Sequence, residues 1–302
     1  MELSMYAFFT DILRREGAAE AVRFAKDCGF SAVEILEAVR PGSRPLFPTR
    51  ETAEHLRRLL DENRMRCACY SVSINIMADN IGEASNLSGM DALKRSADNA
   101  HILGSPYLHH TLTIGYTPPE NRDVTVCDLL PDLLNRSAAV AEYCATLGLT
   151  VLYEPQGYYI NGLEGFSLFY EEMKRQGYPV GICGDFGNSL YVGCDPVDFF
   201  NRYAEDMRHV HVKDFHIEDD RLNRTNSTQS RHWDRIRDGR YVTETFFGDG
   251  IVDMDACMNA LRRAGYSGAY SLETFYWNNL SVSLKENLLR DKTYLESKYA
   301  NY

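Results

Sequence analysis

Five times along this chain an amphipathic helical stretch reaches a glycine and passes directly into a short apolar run. These joints are AKDC-Gly29-FSAVEIL, HIL-Gly104-SPYLHH, CATL-Gly148-LTVLYE, MKRQ-Gly177-YPVGICGD and LRRA-Gly265-YSGAYSLE. A helix commonly ends on a residue in the left-handed conformation, which glycine adopts without a Cβ clash, so each joint reads as helix into strand. Weaker joints at Asn63, before MRCACYSV, and at Glu205-Asp206, before MRHVHVKD, together with SMYAFF at the start, bring the strands to eight. Their C-terminal ends fall near Phe9, Leu36, Ser73, Thr111, Glu154, Asp185, Lys213 and Glu273. Spread over 302 residues this is about 38 residues per unit, enough for a strand, a helix and two loops. Strands that alternate with helices are parallel with right-handed crossovers, and eight of them close most simply into one (β/α)8 TIM barrel. A doubly wound open sheet is the alternative, but no glycine-rich turn follows the first strand to support a nucleotide-binding version. A last helix from about Leu280 to Tyr299 would complete the ring.

Charge and hydropathy narrow the function. Thirty-two Lys and Arg against 43 Asp and Glu give a formal charge of −11. That field repels phosphate backbones, so nucleic acid is not an expected partner. Mean hydropathy is −0.36 and no apolar run could span a bilayer, so no membrane partner is expected. The eight cysteines are scattered without a metal-knuckle spacing and read as reduced, packed thiols. The start, MELSMYAFFTDILRREG, lacks a basic leader, which makes a cytoplasmic protein the expectation.

In a parallel barrel the C-terminal strand ends surround the active site. Alternation sends Val151 and Tyr153 of TVLYEP toward the helices and leaves Leu152 and Glu154 inside. The same period puts Cys183 and Asp185 of VGICGD inside, and His209, His211 and Lys213 of HVHVKD. In AYSLE, small Ala269 and Ser271 leave room beneath Glu273. Glu154, Asp185, His211 and Glu273 thus point at one axis from four strands. Three carboxylates in one cleft repel unless a cation sits among them. Three oxygen donors and one imidazole suit an octahedral divalent ion, Mn2+ first, with Mg2+, Co2+ or Zn2+ as substitutes.

The segments GFSAVEIL, TVLYEP, CGDFGN, HVHVKD, GDGIVD and YSLE, in this order, resemble the xylose isomerase-like TIM barrels, the sugar isomerase and epimerase superfamily that includes the apurinic endonucleases. The resemblance implies that Glu154, Asp185, His211 and Glu273 hold one divalent metal ion. It also implies isomerisation or epimerisation of a sugar-like polyhydroxy carbonyl compound through an enediolate. Glu154 and Glu273 would be the catalytic acid–base pair, one removing a proton and the other returning it. The alternative on the same chemistry is a dehydratase of a keto-sugar or keto-inositol, in which the enediolate expels a β-hydroxyl.

The chain departs from the family at Asn188, where several branches carry a histidine that binds substrate or a further metal. An amide can bond a substrate hydroxyl but cannot titrate. The missing histidines weigh further against an endonuclease-like phosphodiester hydrolase, and the intact quartet weighs against a metal-free binding protein. Tyr6, His109 and Lys213 are, with Asn188, the candidate substrate-binding residues. Tyr6 could close the pocket or pack, and only one of His109 and His110 can face the cleft. Lys213 could meet an enolate oxygen or pair with a ligand carboxylate. Residues 215–253 form a long seventh loop, expected to be an ordered lid. Between residues 221 and 240 it holds Arg221, Arg224, Arg231, Arg235, Arg237 and Arg240 against Asp234 and Asp238, a local charge of +4. Such a patch would hold an anionic substrate group, or pair with acidic loops of this chain or of a neighbouring subunit in a homo-oligomer.

Overall fold

The computed structural model describes residues 1–39, 44–77, 89–112, 124–218, 233–274 and 283–299. Eight parallel strands close into a barrel: β1 (Glu2–Met5), β2 (Ala32–Ala38), β3 (Arg66–Ser73), β4 (Tyr107–His110), β5 (Thr150–Tyr153), β6 (Val180–Asp185), β7 (Met207–Val212) and β11 (Ala269–Leu272). They run β1 to β7 in sequence order around the ring, and β11 pairs with both β7 and β1 to shut it. Gly29, Gly104, Gly148, Gly177 and Gly265 all have φ between 69° and 82°, the left-handed state expected at the five joints. The weak joint at Asn63 reaches the same conformation with a side chain attached, since Arg64 has φ 55°.

Outside the barrel lie α1 (Ala7–Glu16), α2 (Ala18–Asp27), α3 (Arg50–Glu62), α4 (Gly89–Ile102), α5 (Val126–Thr146), α6 (Gly162–Arg175), α7 (Pro196–Tyr203), α8 (Met254–Arg263) and α9 (Leu284–Tyr299). Side chains assigned outward by alternation, including Val151, Tyr153, Ile182, Val210, Val212, Tyr270 and Leu272, join the main apolar cluster with Phe166, Phe169 and Tyr170 of α6. Each such burial stabilises the fold by roughly 1.5–3 kcal/mol. Ala269, Leu152 and Cys183, assigned inward, join small layers instead: Ala269 with Ala32 and Ala68 near the floor, then Leu152 and Cys183 with Cys69. Several helix starts are written in the sequence. Asn161 accepts from the Gly162 amide at 2.7 Å, Asp195 caps α7 ahead of Pro196, and Asp253 accepts from Ala256 at 2.9 Å.

One strand assignment is corrected. SMYAFF is not strand to Phe9; β1 stops at Met5 and Ala7–Glu16 is helix. The reason is spacing, because Phe8, Phe9 and Ile12 bury one helical face, whereas a strand would turn adjacent phenylalanines to opposite sides. The last helix begins at Leu284; residues 280–282 lie outside the described set.

In the seventh loop, β8 (Asp214–Glu218), β9 (Asp234–Arg235) and β10 (Tyr241–Thr245) make an antiparallel sheet in the order β8-β10-β9. Tyr191, Phe215, Ile236 and Val242 pack beneath it. Asp214 fastens the start of β8 to the segment that follows β10 by accepting backbone amides from Phe215, Gly248, Gly250 and Val252 at 2.8–3.2 Å. Residues 219–232, with Arg221, Arg224 and Arg231, lie outside the described set. Arg237 donates to the Tyr158 carbonyl at 2.7 Å and Arg240 pairs with Asp238 at 2.8 Å, so these two bind their own chain.

All eight cysteines are free thiols; six are buried, whereas Cys127 is exposed and Cys194 half-buried, against the expectation of uniform packing. Among the described residues no helix is long and apolar enough to cross a membrane.

Candidate metal centre

Glu154, Asp185, His211 and Glu273 come together at the C-terminal end of the barrel, their ligand atoms within 4.8 Å of one another. All four are at most 6% exposed. His211 Nδ1 lies 2.8 Å from Glu154 Oε1, 2.9 Å from Glu273 Oε2 and 3.9 Å from Asp185 Oδ2. Adjacent donors around a small octahedral ion stand roughly 3 Å apart, so this spacing suits one.

Local structure aims each ligand. In DFGN the amides of Gly187 and Asn188 hold Asp185 Oδ1 at 2.8 and 2.6 Å, which turns Oδ2 toward the site. Gly187 is required there, because a Cβ would stand 2.2 Å from the Phe215 ring. A register shift between Ile182 and Cys183 pairs Cys183 with His209 and Asp185 with His211 across β6 and β7. A second shift between Val33 and Glu34 pairs Glu34 with Cys69.

That second irregularity introduces a residue the sequence reading did not single out. Glu34, fully buried on β2, accepts from His209 Nε2 at 2.7 Å, from His211 Nε2 at 3.0 Å and from the Ser71 hydroxyl. A lone carboxylate inside the apolar run AVEIL was the available signal, since buried charge demands partners. Burial alone would raise its pKa, yet the charges and hydrogen bonds of His211 and His209 hold it well below the usual carboxylate range.

The fit of a cation follows from hydrogen-bond logic. A carboxylate only accepts, so His211 carries its hydrogen on Nε2, toward Glu34. Its Nδ1 then turns a lone pair toward two carboxylate oxygens, a repulsive arrangement unless a metal ion enters or the ring takes a second proton. Without the ion the ring takes that proton. Burial opposes it, but the carboxylates of Glu34, Glu273 and Glu154 around the ring hold His211 well above its usual range. The same strain appears in the carboxylates. Burial pushes Glu154 up to about 8 despite His211, and raises Asp185 despite Lys213. Burial also acts on Glu273, but Lys213 and His211 outweigh it and hold this group at about 2.

Two further side-chain groupings could be mistaken for ion sites. His109, Cys183 and His211 approach one another, but burial pushes the Cys183 thiol far up and keeps its proton on. In Glu34, His209 and His211 the facing atoms are already joined by hydrogen bonds.

The remaining candidates surround the quartet. Tyr6 is buried with its ring 4.7 Å from that of His211. His109 faces inward, with Nε2 3.5 Å from Glu154 Oε2, whereas His110 packs edge-on against Tyr153 outside the barrel. Burial lowers both, His109 to about 3 and His110 to about 4, so both rings are neutral. Lys213 Nζ sits 3.0 Å from both Asp185 Oδ2 and Glu273 Oε2 and donates to Asn188 Oδ1 at 3.1 Å.

Fold and site together define a parallel (β/α)8 barrel with one buried carboxylate–histidine centre at its C-terminal mouth. The chain belongs to the xylose isomerase-like TIM barrel family, which it matches over residues 22–295. It is 29% identical over 147 residues to an inosose dehydratase from Geobacillus thermodenitrificans (strain NG80-2); the match takes in 48% of this chain and 46% of that protein. The chain therefore aligns with about half the length of this curated relative. Among solved structures it resembles an L-ribulose 3-epimerase, with TM-score 0.70 and 15% identity over 98% of this chain and 94% of that one. It also resembles the IolI protein with a bound zinc atom, with TM-score 0.72 and 14% identity over 98% and 97%. At such identities the structural likeness speaks for the fold alone.

Proposed function

We propose that the protein is a divalent-metal-dependent lyase that removes water from a polyhydroxy ketone of the keto-inositol type. The observation that carries this reading is Lys213. Its ammonium, wedged between Asp185 and Glu273 and held by Asn188, is a proton donor that simple epimerisation by two carboxylates does not need and that loss of a hydroxyl does. The similarity to an inosose dehydratase supports the same choice. Glu154, Asp185, Glu273 and His211 Nδ1 would hold the ion, which supplies Lewis acidity to polarise the ketone and acidify the neighbouring C–H.

The chain's own groups would then divide the work. Glu154, buried and with no lysine paired to it among the described residues, accepts the proton from the carbon next to the carbonyl. The C–O bond one carbon further breaks, and its oxygen leaves as water with a proton from Lys213. Glu273 holds the Lys213 side chain in place, and Tyr6 and His109 exclude solvent from the floor of the cleft. Isomerisation or epimerisation, the first expectation from the sequence, would use Glu154 with Glu273 returning the proton and would retain every oxygen.

One experiment separates the two. Mn2+-loaded protein is incubated in D2O with keto-inositols and ketoses, and products are followed by NMR and ultraviolet absorbance. A dehydrated, conjugated dicarbonyl product supports the lyase; a deuterated epimer or isomer with no loss of water overturns it.

A further inference from the structure

We propose that Glu34 is a positioning residue that fixes which nitrogen is protonated on all three barrel histidines, so that His211 turns the lone pair of Nδ1 to the ion and His109 turns the lone pair of Nε2 to a substrate hydroxyl. The part concerning substrate rests on the reading of the site as one for a hydroxylated ketone. The part concerning the ring nitrogens does not.

The assignment starts from a group that can only accept. Glu34 receives three donors on two oxygens: His209 Nε2 on Oε2 at 2.7 Å, and His211 Nε2 at 3.0 Å with the Ser71 hydroxyl on Oε1. His209 and His211 therefore carry hydrogen on Nε2. Ser71 has a single hydrogen, and it is spent on Glu34. The contact of 3.0 Å between Ser71 Oγ and His109 Nδ1 must then run the other way, from the ring to the oxygen. His109 thus bears its hydrogen on Nδ1, and Nε2 is left with a lone pair. That Nε2 is buried without a hydrogen-bond partner, and it lies 3.5 Å from Glu154 Oε2. With Glu154 ionised, as a ligand of a bound ion would be, two acceptors face each other across this gap. A hydroxyl donated by a bound ligand would satisfy His109 there, whereas a carbonyl oxygen would not.

Glu34 touches neither ion nor substrate in this scheme; it acts through the histidines. Carboxylates or carbonyls that bind the far nitrogen of a metal-ligating histidine commonly matter by 10- to 100-fold in ion affinity. Here one carboxylate serves two functional rings. Its hold on His109 passes through Ser71, and its hold on His211 is direct.

The test reads nitrogen atoms rather than turnover. In Zn2+-loaded protein with 15N-labelled histidine, long-range proton–nitrogen correlation should show His209 and His211 protonated on Nε2 and His109 on Nδ1. A His109 ring protonated on Nε2 overturns the proposal. Glu34→Gln offers one acceptor and one amide donor, so it cannot satisfy both ring N–H groups. Mn2+ affinity measured by calorimetry should fall about 10- to 100-fold while far-UV circular dichroism shows a folded barrel. Should that variant fail to fold, Ser71→Ala cuts only the branch to His109. The His109 spectrum should then shift away from the Nδ1-protonated pattern, Mn2+ affinity should hold, and KM should rise more than kcat falls. Unchanged Mn2+ affinity in folded Glu34→Gln, or an unchanged His109 spectrum in Ser71→Ala, overturns it. Because the spectra and the calorimetry need no reaction, absence of dehydration would sink the proposed activity without touching this assignment.

Discussion

Replacing Lys213 by methionine should pull stability and ion affinity in opposite directions. Lys213 is 4% exposed and its ammonium stands 3.0 Å from two buried carboxylates. Methionine keeps most of the volume and removes the charge. Breaking a buried ion pair by deleting one partner costs about 3–5 kcal/mol, because the other partner is left uncompensated. For 302 residues the unfolding entropy is about 0.6 kcal/mol per kelvin, so the ion-free variant should melt about 5–8 °C below the parent. The cation that Lys213 provides also repels a divalent ion sharing the same oxygens, so Mn2+ should bind the variant more tightly. Saturation should therefore return much of the lost melting temperature; an ion at 100 times its Kd contributes about 2.7 kcal/mol. Turnover should nevertheless collapse, since the proton donor is gone. Differential scanning calorimetry with EDTA and with Mn2+, alongside titration calorimetry, gives all the required quantities. An ion-free variant as stable as the parent, or one that binds Mn2+ more weakly, would refute the placement of Lys213 as the charge that stands in for the ion.

Three other outcomes are expected. His211→Ala should lose most Mn2+ uptake, whereas Glu154→Gln should retain an oxygen donor and much of the uptake while kcat falls by two to four orders of magnitude; equal losses in both would reduce Glu154 to a ligand. The ion-free protein should lose stability as pH rises from about 6.5 to about 8; below that window His109 and His110, whose folded values are depressed, gain stability with rising pH and offset Glu154. Glu154 and His211 both have folded pKa values above their unfolded ones, so the stability they confer is complete below the unfolded pKa and is lost as pH climbs through the folded one. Saturating Mn2+ should flatten or reverse that slope, and melts across the range in EDTA and in Mn2+ test it. Asp214→Ala would remove the shared acceptor of the amides of Phe215, Gly248, Gly250 and Val252, of which only that of Phe215 sits on a buried residue and would cost about 1–3 kcal/mol unpaired, and it should free the seventh-loop sheet to proteolysis before the barrel melts.

What could be read from the sequence was whatever depends on local period. The joint glycines need no partner to adopt positive φ, and the alternation in TVLYEP, VGICGD, HVHVKD and AYSLE was enough to sort Val151 from Leu152 and Tyr270 from Ser271. What escaped depends on contacts between distant segments. Glu34 acquires meaning only from His209 and His211, some 175 residues further on, and the bulge that sets its register has no mark in the letters. YAFF looked like strand because four apolar residues carry no period of their own; the neighbouring Ile12 completes a helical face. The sheet of the seventh loop was unreadable for a similar reason, since β8 is stabilised by pairing with β10 across more than twenty residues.

The inside of the barrel is built from very little hydrocarbon. Three alanines, two cysteines and one leucine form its apolar layers, and above them the strands present carboxylates, imidazoles and hydroxyls. The cohesion of the molecule lies on the other surface of the same strands, against the helices. A lineage of such chains can accordingly exchange donors at the open end with little danger to folding, which suits a scaffold that diversifies its reactions. The exception is the side-chain link between β2 and β7 across the barrel interior. Glu34, His209 and His211 satisfy one another, so no member of that trio can drift alone, and new chemistry on this barrel must evolve around them or replace them together.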